Sequence, residues 1–184
     1  MKKWIFTALA VSALVLPAAA FAGKDHKYLT FGTGKVLQDK NSTQASITND
    51  VGEYGGLYAT KAAPSAKLTQ VVFTFKTDGD VQAGAPRWSI PIDVTGDGRW
   101  DDYASLDAAN CGATAGTNDA KVITVVSTDN PNCKVFLNSK PTMVWANWAA
   151  FAAENPAYRV AKKDIPFIIT DAAGDYHVYG FQFG

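Results

Sequence analysis

The chain has 184 residues, and seventeen Lys and Arg balance seventeen Asp and Glu for a formal net charge of zero. With 47% hydrophobic and 18% charged residues, it is too apolar for intrinsic disorder and too poor in charge for a long coiled coil. No basic surplus exists to neutralise nucleic-acid phosphates, and two His with two Cys cannot furnish an all-His or four-Cys zinc site.

Residues 1–22, MKKWIFTALAVSALVLPAAAFA, have the layout of a signal peptide. Lys2 and Lys3 form a positive start, and an apolar run over 5–16 is interrupted only by Thr7 and Ser12. Pro17 ends that run, and Ala20 and Ala22 put small side chains at the two positions a signal peptidase reads. The pattern predicts cleavage after Ala22 and a single domain over 23–184, secreted or periplasmic. A membrane anchor would need roughly 20 apolar residues, more than this run supplies, and no later stretch is long and apolar enough for a transmembrane segment. No Cys for lipidation lies near the cleavage point.

Beyond the signal peptide the dominant period is two. Strands are expected at 28–31, 45–48 and 56–60, then at 68–75, whose end alternates Phe and Thr. Residues 88–93 alternate with Trp88, Ile90 and Ile92 on one face, and 122–126 is a β-branched run. Shorter apolar runs follow at 135–137 and 167–169, and 176–183 closes the series. Gly, Asn, Asp and Pro clusters separate these segments, and Asp outnumbers Glu fifteen to two, as a turn-rich β fold favours. Residues 142–155 break the pattern. Val144, Trp145, Trp148, Ala149, Phe151 and Ala152 recur at helical spacing, with Thr142 as N-cap and Asn155-Pro156 as the stop. The predicted fold is mainly β, an antiparallel β-sandwich with one helix near 142–155 capping an end. In an oxidising compartment Cys111 and Cys133 are expected to pair as a disulfide that staples a turn-rich excursion at a sheet edge.

The order of these parts carries a resemblance. A signal peptide leads through PRWSIPIDVTGDG to the paired Cys loop, then to the Trp-rich helix, NPAYRVAKKDIPFIITD and the terminal GDYHVYGFQFG. This layout resembles secreted bacterial β-sandwich proteins and is similar in outline to jelly-roll carbohydrate-binding modules. The resemblance implies a jelly-roll-like sandwich and a polysaccharide or glycan partner. It implies no catalytic residues.

Two features offer sites. Asp93, Thr95, Asp97, Arg99 and Asp101 fall at alternate positions, with Gly98 where a tight calcium loop turns and Asp102 available to complete the shell. The twelfth position, where such a loop places a bidentate Glu, is Ala104. The same stretch also reads as a plain Asp-Gly hairpin turn, so a structural calcium ion and a metal-free turn both stand as expectations. The second feature is aromatic. Most rings are expected in the core. Trp100 and Tyr103 flank the Asp-rich turn, and Tyr54 and Tyr58 lie beside Gly52, Gly55 and Gly56, so these four are the expected ligand-binding rings. Sugar C–H faces stack on such rings while polar neighbours bind the hydroxyls.

Catalytic signals are few. The chain has no GxSxG elbow, and Gly32-Thr33-Gly34 lacks the third Gly of a nucleotide loop. His26 is close to the cleavage point, and His177, between Tyr176 and Val178, reads as a structural strand residue. The leading expectation is a secreted carbohydrate-binding protein. A glycan hydrolase using the Asp residues and a structural envelope or adhesion protein are the alternatives.

Overall fold

The computed structural model describes residues 28–38, 43–59, 66–79, 81–82, 84–113 and 123–183. The expected signal peptide, its cleavage point and His26 lie outside the described residues.

Alternating apolar side chains make strands, and the strands make two antiparallel sheets. In chain order they are β1 (Leu29–Gly32), β2 (Lys35–Gln38), β3 (Gln44–Asn49), β4 (Gly55–Tyr58), β5 (Phe73–Gly79), β6 (Arg87–Asp93) and β7 (Asp102–Asp107). The series continues with β8 (Thr124–Ser127), β9 (Val135–Leu137), β10 (Lys140–Trp145), β11 (Arg159–Val160), β12 (Phe167–Thr170) and β13 (Gly174–Phe183). One α-helix, α1 (Trp148–Glu154), precedes β11. The first sheet runs β1-β4-β12-β6-β7-β9-β10, with β11 also pairing to β6, and the second runs β2-β3-β13-β5-β8. The sheets do not close into a barrel. They form a β-sandwich.

The core lies between the sheets. In β3 the sequence QASITN alternates strictly between exposed and buried, so Ala45 and Ile47 face in. Ile47, Phe73, Phe75, Tyr176, Val178 and Phe181 supply the second sheet's inner face, and Leu57, Trp88, Ile90, Ile92, Leu106 and Ile168 supply the first sheet's. Trp88 crosses the interface, with its ring 5.7 Å from Phe73 and 6.2 Å from Phe75. Burying rings of this size dominates the stability of such a core.

The disulfide joins Cys111 to Cys133. It closes the stretch in which the chain leaves β7, adds β8 to the edge of the second sheet, and returns to the first sheet at β9. Among the described residues no helix is long and apolar enough to cross a membrane.

The helix is shorter than its periodicity suggests. Residues 140–145 form β10, the free edge of the first sheet, and α1 begins only at Trp148. The N-cap is Asn147, whose side-chain oxygen accepts from the Ala150 N–H at 2.9 Å. Thr142 is an exposed strand residue instead.

Candidate functional site

The outer face of the first sheet carries a run of rings. Register sets it up: Tyr58 of β4 lies opposite Phe167 of β12, which lies opposite Ser89 of β6, which lies opposite Ser105 of β7. Tyr103 stands opposite Pro91 on the same face. Phe31 of β1 stands opposite Gly56. A Cβ at position 56 would meet the Phe31 ring at 2.5 Å and would also strike the Ile168 carbonyl, so only glycine lets that ring settle on the strand. Tyr54 precedes β4, and its carbonyl accepts from the Thr33 and Gly34 amides at 2.8 and 2.9 Å.

These rings touch in sequence. Trp100 stacks on Tyr103 with centroids 5.0 Å apart and planes inclined by 28°. Tyr103 meets Phe167 edge to face at 5.4 Å, and Phe167 meets Tyr58 at 5.9 Å. Tyr58 lies 4.5 Å from Phe31, which lies 6.5 Å from Tyr54. The four rings singled out from sequence therefore share one face, joined through Phe31 and Phe167. Its two ends are open: Trp100 is 48% and Tyr54 42% exposed, while the rings between are half-buried. Sequence reasoning read Phe31 and Phe167 only as strand residues. Their two-residue spacing from Leu29 and Ile169 placed them on a face, but only sheet order shows which face. Trp88, Trp145, Trp148 and Tyr176 go instead to the core, as large rings in a sandwich are expected to do.

Polar groups rim the row. Burial pushes the Tyr103 hydroxyl above its ordinary range, with the nearby Asp164 and Tyr58 adding to the shift. Burial also raises Tyr58, with Tyr54 adding to it. These two hydroxyls therefore stay protonated through neutral pH, able to donate as well as accept. Apolar ring faces beside phenolic hydroxyls and the Asp164 carboxylate match a ligand that has both C–H faces and hydroxyl groups.

The Asp-rich loop joins β6 to β7 next to Trp100. Asp93 accepts from the Gly96 and Gly98 amides at 2.6 and 2.8 Å, one through each carboxylate oxygen. Gly96 and Gly98 take left-handed φ values of 85° and 83°, which aim those amides inward. Asp101 Oδ2 accepts from the Val94 and Thr95 amides at 2.8 and 2.9 Å and from the Thr95 hydroxyl at 3.1 Å. Those bonds, the Thr95 amide first, hold its carboxyl below the usual range. Asp97 accepts from the Arg99 amide, and Asp102 bonds to the Tyr103 amide and to Ser139 in the β9–β10 turn. The loop is thus a hairpin tied by carboxylates to its own amides. Among the described residues no three His, Cys, Asp or Glu side chains group so as to hold a metal ion. The Lys162 amide donates to the Gly98 carbonyl at 3.1 Å, fixing the loop to the segment that carries Asp164.

Comparison with protein-family models, with curated proteins and with solved structures gave no match.

Proposed function

We propose that this is a secreted or periplasmic binding protein whose outer aromatic row holds a polysaccharide or glycan without chemistry at that face. The observation that carries the reading is the unbroken contact from Trp100 through Tyr103, Phe167, Tyr58 and Phe31 to Tyr54. Soluble proteins seldom leave a linked aromatic surface uncovered unless something binds there. Rings lose little side-chain entropy on binding, and the hydroxyls of Tyr58 and Tyr103 supply the hydrogen bonds a sugar requires. The signal-peptide layout of residues 1–22 and the disulfide support export.

The Asp-rich loop supports a hydrolytic role less well. Asp93 and Asp101 are committed to backbone amides, and those bonds hold the Asp101 carboxyl below the usual range rather than raising it as a general acid needs.

Retention on insoluble polysaccharides and on a glycan array tests the proposal. Trp100→Ala removes the most open ring of the row and is expected to weaken retention at least tenfold, about 1.4 kcal/mol or more, as for an aromatic residue that anchors a ligand. The melting temperature should not change, because Trp100 is half exposed outside the core. Equal retention by the variant and the unaltered protein would remove the aromatic row from the binding surface.

A further inference from the structure

The opposite side of the molecule carries a second constellation. On the outer face of the second sheet, Leu37, Ser46, His177 and Asp78 stand directly opposite one another across β2, β3, β13 and β5. His177 Nδ1 lies 3.0 Å from Asp78 Oδ1. A carboxylate accepts, so Nδ1 is the donor of this pair and Nε2 is the ring nitrogen outside it. The His177 side chain is 56% exposed and Asp78 22%, so the imidazole is open to solvent while its partner is more sheltered. Directly opposed residues on an antiparallel pair have Cβ atoms about 4.5–5.5 Å apart, which makes Ser46 and His177 cross-strand neighbours on this face. The next pair along the same strands is Gln44 and Tyr179. All six line one open groove of about 400 Å³.

We infer that this groove is an ester-hydrolysing site in which Ser46 is the nucleophile, His177 the base and Asp78 the positioning residue. In the first half-reaction Ser46 Oγ attacks the acyl carbon and its proton passes to His177 Nε2. The ester C–O bond then breaks, and the leaving alkoxide takes that proton. In the second half, water gives a proton to Nε2 and attacks acyl-Ser46. The acid is released, and the proton returns to Oγ. Tyr179 lines the same groove, and its hydroxyl is the neutral donor for the charge that builds on the carbonyl oxygen. Burial, and after it the charge of Asp78, holds that hydroxyl protonated. Leu37, 57% exposed next to Ser46, gives an acyl chain an apolar seat. The groove is shallow and open, so the substrate class is a short-chain acyl ester. This site is independent of the aromatic row, and its failure leaves the binding proposal untouched.

The test uses the full protein with p-nitrophenyl acetate and butyrate, and with a fluorophosphonate probe read by peptide mass. The expected result is turnover, one label per chain on Ser46, and loss of both in Ser46→Ala. His177→Ala should slow turnover at least about a hundredfold, as loss of a general base does. Asp78→Asn should lower kcat with KM unchanged, and Asp78→Glu should restore part of it, a split that a merely structural role would not produce. Ser46 and His177 face solvent, so these variants spare the core. If one fails to fold, the position of the label on the unaltered protein decides alone. No turnover above buffer, or a label on any residue other than Ser46, overturns the inference.

Discussion

Asp93 and Asp101 share the closure of one hairpin, and each does it by accepting from several amides at once. Carboxylates that accept several backbone hydrogen bonds are stabilised in the charged form, which is why the Asp101 carboxyl sits below its ordinary value. A depressed folded-state pKa contributes stability that is fully present above the unfolded value of 3.8 and is lost as pH falls through the folded value. Asp101→Asn should therefore melt lower than the unaltered protein at neutral pH, and the difference should shrink steadily once pH drops below 3.8. Melting curves of both proteins across that range check it. The same hydrogen bonds bear on calcium. Both Asp93 oxygens already receive amide protons, and Asp102 is taken by Ser139. Melting in millimolar calcium and in chelator is expected to coincide. An ion at 100 times its Kd would add about 2.7 kcal/mol, and a shift of that order would show the loop rearranging around it. The alternation of oxygens in the sequence was compatible with either outcome. The direction of the amides at Gly96 and Gly98, which bears on the choice, is a backbone property that spacing does not encode.

At the scale of elements, the segment around α1 shows where pattern and structure part. Val144 and Trp145 stand at helical spacing from Trp148, yet they belong to β10. Edge position explains it: among the described residues β10 pairs only with β9, so most of it is exposed and no inner-face alternation develops. Pro141 is tolerated there because an edge strand has one side free of ladder bonds. β7 was hidden for the opposite reason. DYASLD has little β-branched character, and it is a strand because β6 and β9 flank it. Its buried polar residues are satisfied by neighbours, Ser105 by Asn138 and Asp107 by Asn110. The strongly alternating segments β3, β6 and β13 were legible because one face of each fills the core. A helix as short as α1 is unstable alone and depends on its cap and on Trp148, Phe151 and Ala152 packing inward. Asn147→Ala should cost about 1 kcal/mol in urea unfolding, whereas Thr142→Ala should change stability by less than about 0.5 kcal/mol. A larger loss at Thr142 would mean that the helix starts earlier than β10 allows.

For the whole molecule, the central question is how a chain that crosses repeatedly between two sheets keeps them in register. Most strands pair on both sides, but among the described residues β8 pairs only with β5, through Thr124, Val125, Val126 and Ser127. The chain reaches β8 from one sheet and leaves it for the same sheet, so both connections would pull free together if that single ladder opened. Cys111 and Cys133 sit at those two departures, both buried, with a sequence separation of 22. The pairing was legible from two cysteines in a chain whose first 22 residues read as a signal peptide. That it guards an edge of the second sheet was not, because sheet order arises from contacts distant in sequence. A crosslink closing a loop of this length stabilises by about 3 kcal/mol, chiefly by restricting the unfolded chain. Replacing both Cys by Ser should lower urea stability by about that amount. Hydrogen exchange should also locate the effect: amides of β8 should lose protection first, while β13, paired on both sides, should follow only the global loss. Uniform loss of protection would mean that the bridge acts on the unfolded state alone. Preferential loss at β8 would show that it also holds the edge strand in the folded sandwich.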